Sequence, residues 1–419
     1  MKIKSLLIAF AALMAVMLAA CSSDEPGGAP EEEIPEPAFT DLELSDAESR
    51  ANAGLEEFNI RFFQSAVAAN PGKNIAVSPL GASMMLSLMA NIVDDELRGR
   101  ILTALGSDDL DALNTLSRRY MDVLPTLDPS VTMTIANGCW YRDSYTISPQ
   151  FAGILSESYD GETCAGDFTG NAGGVAEEIN AWVNERTGGM IPRIISDANQ
   201  IQQLLYVLVS ASYINGAWSV PFDREDTKPA VFHGEHGDSN VDMMYMHEPL
   251  YENNGSDFGH FSNWKSVSML LGDGKYIVSF VLPREGFTID DIIAEGLFNS
   301  SFLPLANNTE LYLPRVDFKG GELRLNPMFA DLGIAGLDEL RQTKIFTEPA
   351  LAENHVFQQS AVRFFEEGAE ASSATYTTGA SHGGQWYPDP VYRFDQPFLF
   401  MINEKSTGAA ILWGCIRDL

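Results

Sequence analysis

The order in which helical and strand-like patterns follow one another constrains the fold of this chain more than any other feature. Helical spacing comes first. Ser45-x-x-Glu48 is a capping box, and Leu55, Phe58, Phe62 and Val67 repeat behind it on one helical face. Residues 84–104 read as a helix that Gly106 stops, and residues 175–186 as an amphipathic helix ending at Gly188-Gly189. Strand candidates then take over, at 131–141, 204–215, 241–246, 267–271, 277–282, 311–314, 356–365, 398–402 and 409–415. Helices early and strands late favour an α+β architecture with large antiparallel sheets over repeated βαβ units. About 380 residues follow the N-terminal segment. That is more than one core usually serves, so size alone predicts two domains.

One strand candidate has an unusual sequel. Residues 356–365 are β-branched and aromatic, and straight after them comes Glu366-Glu367-Gly368-Ala369-Glu370-Ala371-Ser372-Ser373-Ala374-Thr375, of strand length and built of small residues. Alternate side chains of a strand share a face. Ala369, Ala371, Ser373 and Thr375 therefore form a row slim enough to slide between existing strands, with Glu370 toward solvent. The competing reading of the same residues is a flexible Ala/Ser linker.

Charge and termini narrow the function. With 26 basic against 58 acidic residues, the net charge of -32 repels phosphate backbones and anionic membranes, so nucleic-acid partners are not expected. Lys2 and Lys4, an apolar stretch at 6–18 and Leu18-Ala19-Ala20-Cys21 read as a secretory signal over residues 1–20, too short for a membrane span. The ending resembles a bacterial lipobox, in which Cys21 becomes the lipidated first residue; an ordinary signal peptide is the alternative. Residues 21–40, with Glu31-Glu32-Glu33 and four prolines, are then a tether, leaving 41–419 as the folded part. Ser23-Asp24-Glu25 resembles acidic signals that send lipoproteins to the cell exterior. The expected location is outside the inner membrane, lipid-anchored at the outer membrane or cell surface. Cys139, Cys164 and Cys415 have no paired spacing; free thiols are expected, and a Cys139–Cys164 bridge stays open.

Two motifs suggest chemistry and lack the context for it. Gly379-Ala380-Ser381-His382-Gly383 matches the G-x-S-x-G elbow of hydrolases, which needs a helix after it; Gly384 to Pro390 includes two prolines and cannot form one. His233-Gly234-Glu235-His236 suggests a metal pair but has no third ligand nearby, and its glycines make it a turn. No metal and no cofactor are expected.

Across its length from Leu55 onward the chain resembles the serpins. Asn74-Ile75-Ala76-Val77-Ser78-Pro79-Leu80 is similar to that family's first signature. Asn137-Gly138-Cys139-Trp140, Asp167-Phe168, and Ile179-Asn180-Ala181-Trp182-Val183-Asn184 with Thr187, Gly189 and Ile191 follow in its order. Leu208-Val209 to Trp218 with Pro221-Phe222, and Pro397 to Phe400 with Thr407-Gly408 and Gly414, resemble its central and closing strands.

The resemblance implies one domain of three β-sheets and eight or nine helices, with an exposed reactive-centre loop running from Gly368 to about Asp395. It implies no enzymatic activity, but a monomeric suicide inhibitor of serine proteases. Glu366 to Thr375 would be the hinge, which enters the main sheet after cleavage. Counting forward by the family's spacing puts the reactive bond at His382–Gly383; counting back from Pro397 lands near Trp386. Tyr376, His382, Trp386 and Tyr387 are the large side chains near the tip, and no Lys or Arg lies between Gly368 and Arg393. An apolar or aromatic preference is therefore expected over a trypsin-like one, with papain-like cysteine proteases as an alternative. Ser78, Gly81, Ser210, Trp218 and Gln358 would form the region that governs sheet opening. Gly81, Ser210 and Gln358 stand where the family commonly has Ser, Asn and His, and Ser210 and Gln358 are expected to bond to each other. The phrase Gly336-Leu337-Asp338 replaces the family's usual Phe-Ser. A serpin fold that is cut without trapping remains the other reading.

Overall fold

The computed structural model describes residues 41–253, 263–296, 308–337, 339–341, 344–348, 351–368 and 389–419. The signal segment, the tether, Cys21, the hinge beyond Gly368 and the residues His382, Gly383 and Trp386 lie outside them. So does Ser381.

Thr40–Leu419 forms one compact unit, where size alone predicts two. Nine α-helices occur among the described residues, six of them before residue 187. The first, Asp46–Ala68, carries the expected capping box and buries Leu55, Phe58, Phe62 and Val67. The helix expected at 84–104 is two. Pro79–Ala90 ends at Asn91, and Asp95–Ala104 restarts where the Asp94 carboxylate accepts from the Leu97 N–H at 2.9 Å. Every residue of Pro79–Ala90 is buried, so no polar face marks its end in the sequence.

Three sheets organise the strands. The main sheet runs, edge to edge, through Leu323–Arg324, Leu351–Gln359, Tyr206–Gly216, Val131–Arg142 and Glu162–Gly166. Its first two strands continue upward as the pair Val316–Lys319 and Ala361–Phe364, across an irregularity where the Gly320 N–H donates to the Ser360 carbonyl at 3.0 Å. The strand expected at 356–365 is therefore broken at Ser360. The second sheet is antiparallel throughout: Ile75–Val77, Ala410–Ile416, Phe398–Glu404, Tyr276–Pro283, Trp264–Leu271 and Tyr251–Asn253. The third has four strands, Val391–Arg393, Thr309–Pro314, Gly237–Glu248 and Lys228–Gly234.

The main sheet is covered on both faces. Cys139, Leu208 and Val356 join the large core that includes the first two helices and the second sheet, while Trp140, Val209 and Phe357 pack with Ile179 and Val183 of the helix Ala172–Arg186. This alternation settles the cysteines. Cys164 lies beside Trp140 in the parallel register, and Cys139 points to the other face, so both are free thiols. The two turn histidines flank a tight hairpin, His233 paired with Asp238 at 2.8 Å and His236 with Asp418 at 2.7 Å.

Candidate functional site: the mouth of the main sheet

Two central strands of the main sheet run parallel, and their ladder stops halfway. Leu351–Gln359 and Tyr206–Gly216 are in register from Asn354↔Tyr206 to Gln359↔Ala211. Beyond that point no ladder joins them among the described residues. A cavity of about 200 Å³ lies between the upper segments instead, lined by Tyr213, Asn215, Ala361, Arg363 and Gly368 among others. Main-chain groups of two strands facing a slot offer hydrogen bonds to an entering strand.

The chain itself turns back at the top of this slot. After Phe364 it reverses through a turn closed by the Gly368 N–H donating to the Phe365 carbonyl at 3.2 Å. Gly368 then makes an antiparallel bridge to Ala217. Only glycine fits there: its φ is +92°, and a Cβ would stand 2.4 Å from the Gly216 carbonyl oxygen and 2.5 Å from the Ala217 Cα. The Trp218 N–H donates to the Glu367 carbonyl at 3.2 Å, the Phe222 N–H to the Glu366 carbonyl at 2.8 Å, and the Trp218 indole N–H to the Phe365 carbonyl at 2.8 Å. Trp218 also stacks on Phe364, ring centroids 6.0 Å apart. The start of the predicted hinge is thus tied across the top of the slot to the end of the strand Tyr206–Gly216, where Gly368 bridges Ala217 in the antiparallel sense.

Glu366, placed in the hinge by the sequence, is buried here. It is 3% exposed and accepts from Arg315 through Nε at 3.0 Å and Nη2 at 2.6 Å, and from the Thr227 hydroxyl at 2.5 Å. Arg315 also holds Asp242 at 2.8 Å, which ties this corner to the third sheet. Burial works to raise the Glu366 carboxyl. The hydrogen bonds from Arg315 and Thr227 prevail and hold it below the usual glutamate range. Glu367 makes a surface pair with Arg224 at 2.6 Å.

Below the slot sits a second cluster. Gln358 uses both ends of its amide on Ser78: the side-chain oxygen accepts from the Ser78 N–H at 2.9 Å, and Nε2 donates to the Ser78 carbonyl at 3.0 Å. From the other strand the Ser212 hydroxyl donates to Ser78 Oγ at 3.2 Å. Ser78 is the N-cap of the buried helix Pro79–Ala90, its Oγ accepting from the Gly81 N–H at 3.1 Å. Both sides of the mouth are therefore pinned to one residue. The expected bond between Ser210 and Gln358 does not form, although the two are register partners; the Gln358 amide turns to the backbone of Ser78 instead. Ser210 Oγ is buried without a partner among the described residues. A Cβ on Gly81 would lie 3.1 Å from Ser210 Oγ and 3.3 Å from Gln358 Nε2, so this glycine makes room for the arrangement.

Sequence reasoning brought Ser78, Gly81, Trp218, Gln358 and Glu366 to Gly368 together, and missed Arg315, Thr227 and Ser212. Ser212 lay within a strand already identified, two residues past Ser210 on the same face, and that spacing was its available signal.

Comparison with known proteins accords with this architecture. Residues 53–419 match the family model described as serpin (serine protease inhibitor). Serpin-Z10 of Arabidopsis thaliana is 26% identical over 371 residues, covering 84% of this chain and 93% of its own length. Among solved structures, human kallistatin superimposes with a TM-score of 0.75 at 21% identity, over 89% of this chain and 99% of its own. The thermophilic serpin tengpin in its native state gives 0.74 at 21% identity, over 90% and 95%. Human thyroxine-binding globulin complexed with thyroxine gives 0.75 at 18% identity, over 89% and 99%. By the extent of the family match, and in keeping with three sheets in this arrangement, the chain belongs to the serpins, a family whose members are generally protease inhibitors.

Proposed function

We propose that this chain is a lipid-anchored suicide inhibitor of serine proteases, and that its substrate-like loop is consumed by one cleavage. The observation that carries the reading is the antiparallel bridge of Gly368 at the head of two parallel strands whose ladder stops halfway. A protease Ser attacks a carbonyl between His382 and Trp386; the peptide nitrogen leaves as a new N-terminus, and the segment from Ala369 keeps the protease as an ester. That segment pairs on both sides as it enters, each hydrogen bond worth about 1 kcal/mol net. About 14 residues at ~3.3 Å each carry the enzyme roughly 45 Å. Distortion of its oxyanion hole then stalls hydrolysis of the ester, since one lost donor costs about 10²- to 10³-fold. The nucleophile is the protease's own.

Cys21 is proposed as the lipid attachment and residues 22–40 as the spacer that holds the inhibitor off an outer-membrane or cell-surface site. An apolar or aromatic residue before the cut suits chymotrypsin-, elastase- or subtilisin-like enzymes.

A second reading has support as well. Human thyroxine-binding globulin, solved in complex with thyroxine, shares the fold, so the same scaffold serves a ligand carrier. Mixing the protein with chymotrypsin, elastase, subtilisin, trypsin and papain, then resolving the products on a denaturing gel, separates the two. An SDS-stable adduct with a serine protease is expected, and clean cleavage without adduct by every enzyme sinks trapping. Ala369→Arg and Ala371→Arg put a large cation into the small row, and each variant is expected to be cut as a plain substrate. Full-stoichiometry adduct from either overturns the hinge assignment.

A further inference from the structure

The chain contains two Asp–Pro bonds, Asp128-Pro129 and Asp389-Pro390, and the fold treats them in opposite ways. An aspartate before proline carries its own means of breaking the chain. A side-chain oxygen reaches the residue's own main-chain carbonyl carbon by closing a small ring, an attack favoured by proximity. The proline nitrogen belongs to a tertiary amide and leaves as a secondary amine.

Asp128 is locked against this reaction. It is 1% exposed; Oδ1 accepts from the Ser130 N–H at 3.0 Å and the Ser130 hydroxyl at 2.5 Å, and Oδ2 accepts from the Asp273 N–H at 2.8 Å. Both oxygens are engaged and water is kept out.

Asp389 is the reverse case. Its side chain is exposed, Oδ2 lies 2.9 Å from His247 Nε2, and Oδ1 has no hydrogen-bond partner among the described residues. The proline after it is fixed. The Glu310 N–H donates to the Pro390 carbonyl at 2.9 Å, and Val391–Arg393 is laddered to Thr309–Pro314. This bond therefore joins a clamped nitrogen to an acyl group that belongs to the loop. The charged groups on the adjoining elements are Glu310, register partner of His247 and Val391, Glu248, Arg393, and Lys265, whose Nζ donates to the Val391 carbonyl at 3.0 Å. Histidine is the side-chain type whose charge changes between pH 5 and 8.

We propose that this chain cuts its own loop at Asp389–Pro390, with His247 holding the carboxylate and supplying the proton. Oδ1 attacks the Asp389 carbonyl carbon, and the bond from that carbon to the Pro390 nitrogen breaks. The nitrogen takes a proton from the His247 imidazolium and leaves as a secondary amine. Water opens the cyclic anhydride, makes Asp389 a new C-terminus and releases protons to His247 and solvent. One water is consumed and nothing is oxidised. The break falls between the loop's two ends at Gly368 and Val391, so it retires an inhibitor that has met no protease, and does so faster in acid. Cutting is independent of the inhibitory reading; entry of the freed half into the main sheet rests on it.

The experiment incubates the full chain alone at pH 5 and pH 8, with small-molecule inhibitors of every protease class present, and identifies fragments by mass spectrometry under denaturing conditions. A piece ending at Asp389 and one beginning at Pro390 are expected, forming about 10-fold faster at pH 5. The Asp128–Pro129 bond should stay whole. His247→Ala should slow the break at pH 5 about 100-fold, the low end for a positioned acid, and added imidazole should restore part of the rate. Asp389→Ala should abolish it. The proposal is overturned by no break at Asp389–Pro390 in the folded parent, by a break that survives in Asp389→Ala, by equal scission of both Asp–Pro bonds, or by an unchanged rate in His247→Ala. If His247→Ala does not fold, Asp389→Ala decides, since its side chain is exposed. A chain nicked at Asp389–Pro390 that melts no higher than the intact one keeps the self-cutting and counts against insertion, so the two readings fail separately.

Discussion

Glu366 is a charge in a place where charges are expensive, and the groups around it decide what acid does to the molecule. The carboxylate is ionised against burial because Arg315 and Thr227 donate to it. Its folded-state pKa is lowered, so its contribution to stability is fully present above the ordinary glutamate value of roughly 4.3 and is lost as pH falls through the lower folded value. Glu366→Gln should destabilise the intact protein at pH 7 by about 3 kcal/mol, the low end for breaking a buried pair, because Arg315 keeps 38% of its side chain exposed. Denaturant melts of parent and variant give the difference. It should shrink on acidification below about pH 4, where the carboxyl in the unfolded chain takes up its proton first, and vanish as pH falls through the lower folded value. A difference that is absent at pH 7, or that stays constant with acid, rules out the ion pair as a clamp on the mouth.

At the scale of elements, the mouth is held by the helix Pro79–Ala90 through its N-cap. Gln358 comes from one parallel strand and Ser212 from the other, and both reach Ser78. Gln358→Ala leaves the buried Ser78 N–H unpaired. The expected cost is about 1–3 kcal/mol, and the two strands lose part of what holds them over the helix. Incubated alone, the variant should convert faster than the parent to a heat-resistant form with the loop inserted, followed by the fraction that survives heating; equal conversion rates would remove Gln358 from the gate. Much of this region could be read from the chain. The capping box, the helical spacing and the Glu-Glu-Gly phrase are local, and local patterns survive without knowledge of the fold. Arg315 and Thr227 could not be read, since they meet Glu366 across 51 and 139 residues. The Ser210–Gln358 bond was expected because the two residues stand at positions where the resemblance puts a polar cluster. It failed because a third element, the helix cap underneath, competes for the same amide.

For the whole molecule, the loop is slung between two roots in different sheets. Its near root closes the mouth of the main sheet through Glu366 to Gly368, and its far root is the strand Val391–Arg393 of the third sheet. On the proposed mechanism, the main sheet forgoes a strand for as long as both roots hold. Cutting anywhere between the roots frees the near half. A net gain of about 10 main-chain hydrogen bonds, fewer than about 14 residues paired on both sides could form, at about 1 kcal/mol each corresponds to a rise of roughly 10–20 °C in the melting temperature, scaling the size dependence to a chain this long. Calorimetry of intact and loop-cleaved protein, with the fragments kept together, measures it. The cleaved form should melt higher, and the rise should be smaller in Ala369→Arg, whose bulk obstructs entry. A cleaved form that melts at or below the intact one means that the strand never enters, whatever the protease does. The mouth would then be a structural cavity, and the fold would serve binding instead of capture.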